Sequence, residues 1–265
     1  MDYWQERTQR AQEQLAKKRI AETEKQLTKY YNATMEEVTG QFVAVYNKIM
    51  LDVAEGHTPT PADLYKLNSY WQMQGQLRKE LHALGDKQAV WFSRQFVAAW
   101  EEVYYNIALP DAGLFSAVDR STVKQMINQI WCADGQTWSQ RIWTNTDKLQ
   151  QALNDGLIEC VVTGKSPVAL KEKLVEQFNV SWNRADSIVK TEIAHIQTQA
   201  AQQRYKDAGL DEVEVWADKD ERRCDVCGKL HQKRYPVGAQ MPIPAHPRCR
   251  CVLLPVIKRS PAKDQ

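Results

Sequence analysis

Cys224-Asp-Val-Cys227, eighteen intervening residues, and His246-Pro-Arg-Cys249-Arg-Cys251 place five metal-competent donors within 28 positions of one another. Cys-x2-Cys followed at this distance by His-x2-Cys is the ligand spacing of a structural zinc site, because each short pair forms one turn presenting two ligands. The best set is Cys224, Cys227, His246 and Cys249, since His-x2-Cys repeats the spacing of the first pair. Cys251 is the alternative fourth ligand. Four or five donors for four positions leave none for a water or substrate, so the pattern suits a metal that holds a fold. Two other readings stay open: disulfides among the four cysteines in an oxidising medium, or unligated thiols. A zinc deaminase needs His-x-Glu ahead of Pro-Cys-x-x-Cys; here Cys-x2-Cys comes first and no Glu stands two after His246. His231 reads as an ordinary polar residue, and Cys132 and Cys160 are isolated.

The charge around these donors is lopsided. Residues 219–265 carry eleven Lys and Arg against four Asp and Glu, within a chain whose net charge is only +2. Arg222, Arg223, Lys233, Arg234, Arg248 and Arg250 surround the ligands and are candidate phosphate contacts for non-specific DNA binding. A solvated basic face explains the same charge equally well. No Ser-His-Asp order, phosphate loop or nucleotide fingerprint appears. No catalytic residue, no organic cofactor and no enzymatic activity is therefore expected.

The remaining chain must position this cluster. It is 265 residues long, 43% hydrophobic and 26% charged, with only 11 glycines, which fits a globular and mainly helical protein. No apolar run approaches the roughly 20 residues that cross a bilayer, and the N-terminus lacks a signal-peptide core. Folding in a cytoplasm is expected. Leu15, Ile20 and Leu27 make a thin apolar stripe over residues 4–31, suited to a long exposed helix lying along other helices or a partner. Met35, Val38, Phe42, Val45, Ile49 and Val53 continue at helical steps until Gly56–Pro61 breaks them. Thr60-Pro61 with Asp63 starts a helix running towards Gly85. Further helices are expected over 87–108, from Asp119 to about Trp131, around Trp138–Ile158, from Pro167 to about Phe178, and from Asn183 to Ala208. After Gly209 the pattern changes. Val213–Trp216 and Val252–Val256 read as strands, with a proline-rich loop between. This module is too small to bury much core, the case in which a metal substitutes for it. The expected fold is a mainly α, elongated multi-helix body with a small zinc-ribbon-like module of strands and loops. Its boundaries are 1–135 for an N-terminal helical region, 136–210 for a helical core, 211–256 for the module and 257–265 for a frayed tail.

Asn183-Arg184-Ala-Asp-Ser-Ile-Val-Lys-Thr191-Glu192, a long helix ending at Gly209, then Trp216, Asp220, Arg222, Cys224-x2-Cys227 and Pro244-Ala-His246-Pro-Arg-Cys-Arg-Cys251 together resemble the minor head protein, or head-morphogenesis, family of tailed bacteriophages typified by Mu F. The specific part covers residues 137–256. The resemblance implies a virion component present in few copies, sited in the capsid interior near the portal and assembled in the bacterial cytoplasm. It also implies the portal and other head proteins as partners, DNA nearby, and no membrane. The alternative is a zinc-ribbon nucleic-acid-binding protein on a helical oligomerisation body. Arg184 and Glu192 lie eight residues apart, too far to pair with each other. Structural pairing with other neighbours is expected of both.

Overall fold

Apolar residues recurring at steps of three and four, with few glycines to interrupt them, produce long helices. A computed structural model of the protein describes residues 1–52, 59–110, 118–217 and 220–257. The elements are α1 (Tyr3–Asp52), α2 (Pro61–Lys66), α3 (Asn68–Asn106), α4 (Arg120–Ile127), α5 (Trp138–Val162), α6 (Pro167–Asp207), β1 (Glu212–Trp216), α7 (Asp225–Leu230), β2 (Arg234–Pro236) and β3 (Val252–Pro255). The chain is mostly α, as expected, and among the described residues the strands are confined to the C-terminal part. Val53, the break at Gly56–Thr58, Asp111–Gly113 and the expected tail from Lys258 lie outside the described residues.

Helix starts are set by side chains that the sequence advertises. Thr60 and Asp63 form a capping box on α2, with Pro61 at the first helical position. Thr137 and Gln140 do the same for α5, and Asp119 caps α4 by accepting from the Thr122 N–H. Expected breaks after Phe178 and at Gly85 are absent. α1 runs on through Tyr31, because Leu27, Tyr31, Thr34 and Val38 stay buried on one face in unbroken helical phase. α6 runs on from Phe178 through Ala185 and Val189 for the same reason, and the Asn183 amide donates back to the Asn179 carbonyl within the helix. Gly85 likewise does not end a helix but lies inside α3. A Cβ there would come within 2.5 Å of the Trp143 ring, so its role is to admit that indole. Gly209, at φ +71, does end α6.

The chain forms two compact units. The second comprises residues 24–91 and 130–186. Its core includes Leu27, Phe42, Leu77, Leu81, Leu153 and Phe178. A buried polar node sits among them. Asn145 donates to the Tyr31 hydroxyl at 3.2 Å and to the Ser181 carbonyl at 2.9 Å, and Tyr31 pairs with the Ser181 hydroxyl. Burial pushes the Tyr31 phenol up to about 12.

The first unit comprises residues 1–23, 92–129 and 187–265. Phe92, Phe96, Trp100, Tyr205, Val213, Val215 and Leu253 are fully buried in it. Its sheet is antiparallel in the order β2-β1-β3. β2 falls where only loop was expected. Its signals are a left-handed residue on one side, Gln232 at φ 61, and Gly238 at φ 87 on the other. Pro236 is tolerated because β2 is an edge strand. The opposite edge, β3, is covered by side chains of the helices. Gln5 donates to the Pro255 carbonyl at 3.2 Å and Gln12 to the Leu253 carbonyl at 2.9 Å. The Tyr205 hydroxyl also donates to the Leu253 carbonyl. Such covering blocks pairing with another chain.

This corrects the picture of residues 1–31 as an exposed helix. Gln5, Thr8, Gln12, Thr23 and Leu27 are buried, while Trp4, Leu15 and Ile20 are half-buried. The apolar stripe is thin because amides meeting strand carbonyls replace apolar contacts on that face.

Candidate metal centre

The five donors arrive on short, locally determined pieces of backbone. Cys224 is the N-cap of α7, and its Sγ accepts the Cys227 N–H at 3.4 Å, so the first pair forms a capped helical turn. The second pair lies on the turn His246-Pro-Arg-Cys249, closed by the Cys249 N–H donating to the His246 carbonyl at 3.2 Å. Arg248 takes φ 60 in that turn, a left-handed conformation that a side chain rarely adopts. β3 follows directly after Cys251, so the sheet anchors the last donor.

Cys224 Sγ lies 3.3 Å and Cys227 Sγ 3.1 Å from His246 Nε2, and Cys227 Sγ lies 3.7 Å from Cys249 Sγ. The donors form two overlapping triples, Cys224–Cys227–His246 and Cys227–Cys249–Cys251, each with its donor atoms within 4.8 Å of one another. Cys227 belongs to both. Of the expected four, Cys224, Cys227 and His246 lie together, and Cys249 joins them through Cys227 with Cys251 beside it. No two of the six cysteines are joined in a disulfide.

These residues suit a metal ion on three grounds. Sulfurs sharing a zinc at bonds of about 2.3 Å stand about 3.8 Å apart in a tetrahedron, close to the Cys227–Cys249 separation, although Nε2 sits a few tenths of an ångström nearer its sulfurs than the ideal. His246 Nδ1 lies 2.8 Å from the Pro247 carbonyl. A carbonyl only accepts, so Nδ1 carries the proton and the Nε2 lone pair faces the sulfurs, the tautomer that a metal needs. Finally, the thiols do not ionise together. Burial pushes the Cys227 thiol up to about 12. A hydrogen bond from Cys251 pulls Cys249 down to about 5, and Cys251, holding that proton, is raised. The Cys227 amide lowers Cys224. A divalent cation replaces the remaining protons and removes the repulsion between adjacent thiolates.

The six basic residues are all exposed, but several face carboxylates of their own module. Arg250 makes a two-pronged contact with Asp220, at 2.7 Å on each oxygen, and Arg222 shares the same carboxylate. Arg250, more than Arg222, holds the Asp220 carboxyl well below its usual range. Asp220 thus ties the approach to the first cysteine pair to the arginine between the last two cysteines, a link that spacing alone did not reveal. Arg234 pairs with Glu214 directly across β2 and β1. Arg223 and Lys233 complete the outward basic face. Arg248 joins the structure through its backbone N–H, which Thr191 receives. His231 takes no part in the cluster. Its Nδ1 accepts the Ala217 N–H at 3.2 Å, and its ring lies edge-to-face on Trp216.

Residues 150–254 match the family model of Phage Mu protein F like proteins. This segment is Mu F-like. No curated protein and no solved structure matches the chain. The Mu F-like segment contains all five donors, the whole of α6 and all but the last residue of the sheet. Its Arg184 is exposed, whereas Asp186 and Glu192 are buried and engaged by neighbours. Among the described residues, no helix is long and apolar enough to cross a membrane.

Proposed function

We propose that this chain is a minor head protein of a tailed bacteriophage, acting in head morphogenesis beside the portal, with one structural zinc organising its C-terminal module. The observation that carries this reading is the Mu F-like match over residues 150–254, which takes in every donor of the cluster. Zinc is favoured over other metals because thiolate and imidazole ligands suit it. The metal's role is to hold the fold: four or five protein donors fill its positions and leave none for a substrate, so no catalysis is assigned. The basic face of Arg222, Arg223, Lys233, Arg234, Arg248 and Arg250 serves DNA contact in the capsid interior. Three of these residues already face carboxylates, so the contact is weak and salt-sensitive.

Portal engagement is assigned to the helical part. Deleting residues 1–30 is not a clean test of it, because Gln5 and Gln12 also hold β3 beside the metal cluster. Tyr3 and Trp4, which pack against each other with Tyr3 63% exposed, are the better probe. The decisive experiment is mass spectrometry of purified heads. It should find the chain in few copies in portal-containing particles, with Tyr3→Ala/Trp4→Ala lowering its incorporation. Absence of the parent chain from heads would contradict the reading.

A further inference from the structure

Thr191 belongs to the Thr191-Glu192 motif that neither metal chemistry nor helix packing accounted for. It lies on α6, more than thirty residues before Cys224, yet its hydroxyl reaches the metal loop. Oγ1 accepts the Arg248 backbone N–H at 3.0 Å and donates to the Ser187 carbonyl at 2.7 Å. The second bond fixes the hydroxyl proton inside the helix, so a lone pair is left aimed at the loop.

The amide it holds is the sensitive one. Arg248 stands at φ 60, between Pro247, whose carbonyl orients the His246 ring, and Cys249, whose N–H closes the turn onto the His246 carbonyl. Its backbone thus sets the direction of two donors at once. A non-glycine residue persists at positive φ only where its surroundings enforce it. The Thr191 hydroxyl is a fixed point outside the loop that does so.

We propose that Thr191 is a positioning residue for the metal loop, docking the His246–Cys249 turn onto α6 and slowing the departure of the bound metal. This rests on the metal reading of the cluster. The test uses the full chain with zinc bound. Release to a chromophoric chelator is followed for the parent, Thr191→Val and Thr191→Ser, alongside hydrogen exchange at the Arg248 amide. Thr191→Val keeps the shape but removes both hydrogen bonds, and it should release zinc about fivefold faster, the scale of one lost hydrogen bond. It should also lose protection at Arg248. Thr191→Ser keeps the hydroxyl and should behave as the parent, which a packing role for the methyl group would not give. Parent-like release and protection in Thr191→Val would overturn the proposal. If the parent bound no zinc, the metal reading would fail. Exchange at Arg248 in the metal-free chain would still decide the docking contact: lost protection in Thr191→Val supports it, and unchanged protection refutes it.

Discussion

Cys227 is the one donor shared by both triples of the cluster, and it is buried. Its loss removes a ligand from both triples at once. Cys251 is dispensable if Cys249 completes the set. Cys227→Ser should therefore abolish stoichiometric zinc binding, while Cys251→Ser should retain about one zinc per chain with weakened affinity. Metal analysis of the two purified variants checks this, and the reverse order would make Cys251 the fourth ligand. The donors themselves were legible in the sequence because ligand spacing is a local property. What supports them was not. Asp220 reaches Arg250 across thirty positions, and only the folded chain brings such distant residues together.

At the scale of elements, two glycines of α3 make opposite predictions. Gly85 faces the Trp143 ring within 2.5 Å of where a Cβ would stand, whereas nothing lies within 4 Å of such an atom at Gly75. Gly85→Ala should destabilise the protein by about 1–3 kcal/mol through overpacking. Gly75→Ala should stabilise it by about 0.5–1 kcal/mol through helix propensity. Chemical denaturation of both variants measures the difference in sign. A third prediction concerns pH. Glu102 on α3 pairs with Arg19 on α1, and the hydrogen bond from Arg19 holds its carboxyl below the usual glutamate range. A depressed folded-state value means stability present above that pH and lost as acid protonates the group. Glu102→Gln should therefore cost about 1 kcal/mol at pH 7, since the pair is partly solvated. The cost should shrink as pH falls below the usual glutamate range, and denaturation at pH 7 and in acid would show whether it does.

Helix starts were readable at Thr60 and Asp119, capping residues in recognisable company. Helix ends were less so. Gly85 reads as a terminator and proves to be a packing site, because the indole it admits comes from a helix nearly sixty residues away. β2 escaped notice because three residues ending in proline carry no alternation to read.

For the molecule as a whole, composition announced a mainly helical chain, and the thin stripe of the first helix suggested an outside partner. The structure answers part of that suggestion from within: the polar side chains of α1 cover the edge of β3. The N-terminal helix and the metal module are therefore coupled through hydrogen bonds. Sequence periodicity does not show this, because it registers apolar faces and is silent about amides that meet carbonyls.

In the proposed reading, one metal ion holds the C-terminal module together. Native mass spectrometry of the full chain, purified under reducing conditions, tests it directly. One zinc per chain is expected, lost with a strong chelator while most helical circular dichroism survives. A metal-free chain with two disulfides among Cys224, Cys227, Cys249 and Cys251, or with all thiols free and the module folded, would contradict it.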